Sequence, residues 1–357
     1  MAGLYIHIPF CKKRCLYCDF FSTTQMEKRD AYVEALIKEL DARQDEAGEP
    51  IRTIYIGGGT PSTLSLESMT ALAQHLRSIC IEEYTVEVNP GDVTKNYLEG
   101  LRALGVNRLS MGIQSFQDEL LRLIGRRHDA RQAIEAVKAA KEAGFDNLSI
   151  DLMYALPTQT IEQWKADIET ALSLNVQHIS SYGLMYEEGT ALTQMRDKGM
   201  IAPIDEDTEN AMYDYLCARL KEAGFVHYEV SNFALPGYEA KHNSRYWDGT
   251  PYIGIGAGAH SYVGNVRSWN PDDLDAYIAG DIQREQEVLT ETDLYNERIM
   301  LGLRTNRGIA ESIPSQSRAV IESKIQKGLL RRDEKGHIIA TQKGIHILNR
   351  IIEDLMI

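Results

Sequence analysis

No stretch of this 357-residue chain approaches the run of about eighteen apolar residues that a membrane-spanning helix needs. Its opening, MAGLYIHIPF, lacks the charged start, long apolar run and small-residue cleavage site of a signal peptide. Both absences point to a soluble, cytoplasmic protein. Basic residues are in deficit, with 38 Lys and Arg against 52 Asp and Glu and a net charge of −14. That balance argues against a chain built mainly to grip nucleic acid, and the basic run Lys12-Lys13-Arg14 reads as solvated surface. Internal repeats and low-complexity linkers are also missing. Cysteine is scarce, five in all, yet Cys11, Cys15 and Cys18 fall within eight residues. A secreted disulfide framework would spread them; a clustered trio reads as metal ligation or redox chemistry. Cys80 and Cys217 lie in helical patterns and are expected to be small core residues.

Apolar, β-branched runs of strand length alternate with amphipathic helical stretches over the first two-thirds of the chain, the rhythm of parallel βα units. The strands are predicted at LYIHI (4–8), TIYIG (53–57), YTVEV (84–88), RLSMGI (108–113), NLSIDLM (147–153) and HISSYGL (178–184). The first helix shows Thr24 and Glu27 at capping-box spacing, then Val33, Leu36, Ile37 and Leu40 on one face. Later helices end in glycine before an apolar strand start, at LGV (104–106) and AGF (143–145 and 223–225). The fold class expected is α/β. The choice lies between a partial (β/α)6 TIM-like barrel and a full eight-unit barrel continued by HYEVSNF (227–233). In such folds chemistry collects at the C-terminal ends of the strands. From about Ser231 the rhythm breaks, and the glycine- and aromatic-rich stretch that follows reads as strands and loops. After about Asp293 the chain turns helical again, with LLRRDEKGHIIATQKG as a hairpin between helices. The division expected is a core of residues 1–235 and a smaller C-terminal α+β, winged-helix-like domain, 236–357; the acidic balance makes the latter a packing cap.

The cysteine loop follows the first predicted strand with the spacing C-x3-C-x2-C and no fourth cysteine. Structural zinc prefers a closed tetrahedral site. Three thiolates hold three irons of a [4Fe–4S] cubane and leave the fourth open to a small molecule. A zinc site completed by His7 or Asp19, and a redox pair of Cys15 with Cys18, remain alternatives.

CKKRCLYC, with Tyr17 before its last cysteine, resembles the cluster loop of the radical S-adenosylmethionine (SAM) superfamily. Together with YIHIPFC, GGGTP, EVNP, GIQSF and DLMYALP, it resembles the branch containing the oxygen-independent coproporphyrinogen III oxidases and the HemW-type heme chaperones. The likeness spans nearly the whole chain. It implies that Cys11, Cys15 and Cys18 bind the cluster, and that Gly58, Gly59 and Thr60 cradle the SAM amino group. Tyr5, Glu87, Gln114, Arg126, Asp151 and Gly183 would complete the SAM contacts. From the residues alone, GGGTP could be a sharp turn and Asp151 a helix cap. Polar groups at strand ends fit a ligand-facing rim, because burial without a partner is costly. The implied chemistry is one-electron reductive cleavage of SAM to methionine and a 5′-deoxyadenosyl radical, fed by a flavodoxin- or ferredoxin-type reductant.

Two functions follow from the resemblance. One is oxidative decarboxylation of coproporphyrinogen III. The other is a heme chaperone that hands heme to acceptors, expected among respiratory heme proteins and implying transient work at the membrane surface. The oxidase pattern carries a further cysteine two residues after the third, where this chain has Phe20, and a long N-terminal extension. HNSRYW (242–247) matches the HNxxYW string of the HemW-type chaperones. Histidine is a common axial ligand of heme iron and aromatics pack on porphyrin faces, so the chaperone is favoured. His242 is its expected heme ligand and His260 the reserve.

Overall fold

The computed structural model describes residues 1–77, 81–281, 283–310 and 315–357; Cys80, expected in the core, lies outside the described residues. Six strands, β1 (Ala2–Ile8), β2 (Ile51–Gly58), β3 (Glu83–Val88), β4 (Arg108–Gln114), β5 (Leu148–Tyr154) and β6 (His178–Gly183), lie side by side in chain order, all parallel. Parallel strands need helical crossovers, and helices such as Arg29–Arg43, Ala130–Glu142 and Ile161–Ser173 supply them. Strand residues Leu4, Ile6, Ile54, Ile56, Leu109 and Ile150 are all buried in one core with helix residues Leu36, Leu40 and Trp164. Burial of both strand faces is what covering helices impose on a parallel sheet.

The eight-unit alternative is not realised. HYEVSNF folds into β7 (Val226–Glu229) and β8 (Asn232–Ala234), and β8 runs antiparallel to β6. At the other edge β9 (Tyr252–Ile255) joins β1 in parallel, and β10 (His260–Val263), β11 (Val266–Trp269) and β12 (Glu285–Val288) extend it antiparallel. Among the described residues the sheet therefore has twelve strands and runs past residue 235 to Val288. A second apolar cluster, including Ile299, Leu303, Ile321, Leu330, Ile338 and Ile351, forms the end of the chain. There β13 (Leu330–Arg332) and β14 (Ile338–Ala340) make the expected hairpin between helices. Among the described residues no helix is long and apolar enough to cross a membrane.

Two local expectations change. Thr24 and Glu27 form no capping box: a 3-10 turn, Met26–Lys28, precedes the first helix, which has no side-chain cap. Its stripe still packs, with Val33, Leu36 and Leu40 buried. The stretch after residue 236, read as strands and loops, holds a helix, Lys241–Asp248, that carries HNSRYW. Its first N–H groups, on Lys241 and His242, donate to the carboxylate of Glu83 at 2.9 and 2.8 Å. That cap comes from a strand 158 residues away. Gly249 ends the helix in the left-handed region (φ 72°), a signal the Asp-Gly pair did carry.

Candidate functional site

The cysteine loop leaves β1 at its C-terminal end and is clamped shut. Cys11 N donates to Thr23 O (2.8 Å) and Thr23 N to Pro9 O (2.7 Å). Leu16 N bonds Ile124 O, and Leu192 N bonds Leu16 O. Lys12 is not free surface: it pairs with the buried carboxylate of Asp92 at 2.7 Å, as does Arg127. Cys11 is buried, Cys15 and Cys18 half-buried. The Cys11 thiol lies 3.3 Å from Thr60 Oγ1, and Arg126 Nη1 donates to Cys15 Sγ at 3.4 Å. Burial pushes the Cys11 thiol up, and Cys18 up to about 11. As thiolates they would therefore need a compensating charge such as iron.

These thiols open onto a cavity of about 340 Å³ at the ends of the parallel strands. Also on its wall are Tyr17, Gly58, Gly59, Thr60, Glu87, Gln114, Arg126, Asp151 and Gly183. Residues from six strand ends are thus brought to one place. Glu87 Oε1 accepts from Tyr55 Oη (2.6 Å) and Oε2 from Gly58 N (3.1 Å). Burial raises this carboxyl to about 7 against those two bonds, with Asp151 adding to the rise. Asp151 rises to about 6, again through burial, opposed by Arg108 and by Ser110, which donates to it at 3.3 Å. Asp151 sits mid-strand in β5, and the helix that follows is capped by Thr160, so the helix-cap alternative does not apply. Gln114 ends β4 in the left-handed region (φ 73°) at a register shift.

The glycine segment is required first by the protein's own packing. A Cβ on Gly59 would lie 2.7 Å from the Pro9 carbonyl carbon, and one on Gly58 2.4 Å from the His7 ring. Sequence reasoning missed Tyr55 and Arg108, both on the cavity wall. Arg108 is 1 % exposed, and its Nε and Nη1 have no partner. An arginine opening a strand looks like surface in sequence; only the folded sheet shows it buried.

Tyr5 is not on this wall; its hydroxyl lies 2.9 Å from His7 Nδ1. His7 Nε2 is 3.0 Å from Phe21 O, so both ring nitrogens are engaged and the zinc alternative lacks this ligand. Among the described residues no group of three or more His, Cys, Asp or Glu is placed to share one metal ion. His242 departs from its expected role as an open ligand. It is fully buried, with Nδ1 3.0 Å from Thr53 Oγ1 and Nε2 2.8 Å from Tyr246 Oη. Burial and the neighbouring Arg245 lower it to about 3, which keeps the imidazole neutral. As folded, neither nitrogen is free for iron. His260 is exposed on β10, stacked on Trp269, and lines neither this cavity nor the second one described below.

The strand-end site fits a cluster and its cofactor on its own chemistry. It offers three thiols, two carboxyls, and an arginine pair, Arg108 and Arg126, whose Nε atoms are buried without partners. Residues 5–171 match the radical SAM superfamily. The chain is 39 % identical to the "Heme chaperone HemW" of Lactococcus lactis over 99 % of its length and 97 % of the relative's. It is 36 % identical to that of Bacillus subtilis, covering 98 % of both chains. Among solved structures it resembles the coproporphyrinogen III oxidase HemN of Escherichia coli, a radical SAM enzyme, with a TM-score of 0.83 and 26 % identity over 99 % of this chain and 90 % of that one.

Proposed function

The chain belongs to the HemW family within the radical SAM superfamily, and from that premise we propose that it is a heme carrier that also binds a [4Fe–4S] cluster and SAM. The observation that carries the reading is the end-to-end likeness to relatives named heme chaperones. Cys11, Cys15 and Cys18 would hold the cluster at the strand-end cavity, with Thr60 and Arg126 bonded to two of the sulfurs. A cluster held by these thiols would supply low-potential one-electron chemistry toward a sulfonium cofactor. The chain's own residues bind and orient. Glu87 is held by Tyr55 and Gly58 as an acceptor, while Asp151 and Gln114 offer polar contacts from β5 and β4. Arg108 opposes the charge of both carboxyls, and Arg126 that of Asp151. Acceptor hemoproteins, a flavodoxin- or ferredoxin-type reductant, and cytoplasmic work reaching the membrane surface complete the proposal.

Heme titration of the purified, anaerobically reconstituted protein tests it. A Soret band saturating at one heme per chain is the expected result, and no stoichiometric binding overturns the reading. A second reading, the oxidase, is favoured by the close overlay on HemN. It would be supported by anaerobic conversion of coproporphyrinogen III by the reduced protein. Against it stands Phe20, at the position where the oxidase pattern has a cysteine; its side chain is 65 % exposed on the rim of the cluster cavity.

A further inference from the structure

A second cavity, of about 1230 Å³, lies between the His242 helix, the β9–β11 edge of the sheet and the helix Glu291–Gly302. The His242 helix borders both cavities: Asn243 lines the smaller, and Tyr246 and Trp247 line the larger. Among the described residues no cysteine lies on the larger wall. The charges that bear on the thiols gather instead around Asp92, in the turn EVNPGD that leaves β3.

A carboxylate in a loop is ordinarily solvated, yet the Asp92 side chain is 1 % exposed. Lys12 Nζ donates to its Oδ1 at 2.7 Å, and Arg127 donates to its Oδ2. Each oxygen takes one cation, as a buried carboxylate requires. The two cations come from different loops. Lys12 sits between Cys11 and Cys15, inside the C-x3-C span. Arg127 lines the cluster cavity and follows Arg126, whose Nη1 donates to Cys15 Sγ. The turn is itself fixed: Asp92 N donates to Asn89 O at 2.9 Å, and Gly91 N to Asn89 Oδ1 at 3.0 Å. Asn89 N donates to Ser62 Oγ at 3.0 Å, which ties the turn to the segment after the GGGTP glycines. The Asp92 turn therefore joins three segments: the loop that carries the thiols and the two that touch them through Thr60 and Arg126.

The charges matter as well as the grip. Lys12 and Arg127 bring two positive charges close in sequence to Cys11 and Arg126, and Asp92 offsets one of them. Reduction adds a negative charge to a cluster, so nearby cations favour the reduced form and raise the potential. Resting on the cluster reading above, we propose that Asp92 is a positioning residue for the cluster. Through Lys12 it holds the Cys11–Cys15 span in place, and by offsetting the two cations it keeps the reduction potential low. The step it acts on is the gain of one electron from a donor; no bond within the chain forms or breaks.

The test uses the full-length protein, reconstituted anaerobically without SAM or heme and titrated with dithionite through redox mediators, the reduced cluster being followed by EPR. Lys12→Met removes a cation and should move the midpoint to a more negative potential. Asp92→Asn keeps the shape, removes the anion and should move it to a less negative one, and the double variant should return toward wild type. Iron loss to a chelator should be about tenfold faster in Asp92→Asn, in line with loss of an outer partner at other metal sites. A merely loosened loop would move both single variants the same way. The proposal is overturned if they shift together or not at all, or if chelation of Asp92→Asn matches wild type. Lys12 is half exposed, so Lys12→Met should fold whatever becomes of Asp92→Asn, and its unshifted midpoint alone overturns the proposal. A wild type that takes up no cluster would sink the cluster reading itself, a different result from a cluster whose potential ignores both charges.

Discussion

The two cavities are built in opposite ways. The smaller is lined by residues delivered by successive parallel strands, several at their C-terminal ends, with Asp151 mid-strand and Arg108 at a strand start. The larger is assembled from a short helix, three edge strands and a C-terminal helix that are far apart in the chain. In the first, regular topology guarantees convergence, and local sequence need only supply the right side chain. In the second nothing repeats, and the wall depends on tertiary contacts such as the one between Glu83 and the start of the His242 helix.

The sharpest way to separate the cavities is to empty one. Cys11→Ala, Cys15→Ala and Cys18→Ala should each bring cluster iron, measured chemically and by EPR, to background. Cys80→Ala and Cys217→Ala should keep it. Iron retained in any of the first three would show that the smaller cavity does not hold the cluster.

Next in size is the pH response of the unliganded protein. Glu87 and Asp151 rise from ordinary values of 4.5 and 3.8 to about 7 and about 6, chiefly through burial. Between roughly pH 4 and 7 the folded state therefore binds more protons than the unfolded one, so stability falls as pH rises through that window. The loss should be about 6 kcal/mol for the two groups together, read from urea midpoints at the two ends. Glu87→Gln should flatten the curve; an unchanged slope would remove Glu87 from the account.

Glu83→Ala tests the shared wall. It strips two helix N–H groups of their acceptor and should cost about 1–3 kcal/mol. Cluster iron should stay at the wild-type level, because the larger cavity depends on that helix more than the smaller does. Loss of cluster iron would contradict the comparison.

The smallest effect is expected at the cluster cavity's mouth, where Phe20 and Met185 are 65 % and 70 % exposed. Phe20→Ser should shift stability by less than about 0.5 kcal/mol and leave cluster iron unchanged.

Legibility in the sequence followed the same divide. Strand ends were readable because hydrophobic runs and the glycines after helices mark them; Gly105, Gly144 and Gly224 are all left-handed. The rim residues Glu87 and Gln114 could be picked out because polar groups rarely close an apolar strand without purpose. Arg108 could not, since a charged residue opening a strand looks like surface until tertiary packing buries it. The His242 helix was missed because it is short and mostly polar and its N-terminal cap is remote.

What the sequence by itself determined is the alternation of strand and helix, the trio of cysteines and the polar rim, since these follow from periodicity and spacing along a few dozen residues. Only the tertiary structure decided which way the sheet's edges continue, that Arg108 turns inward, and that His242 is sealed behind Tyr246. Those outcomes depend on contacts between segments more than a hundred residues apart, and no local pattern encodes the free energy of such contacts.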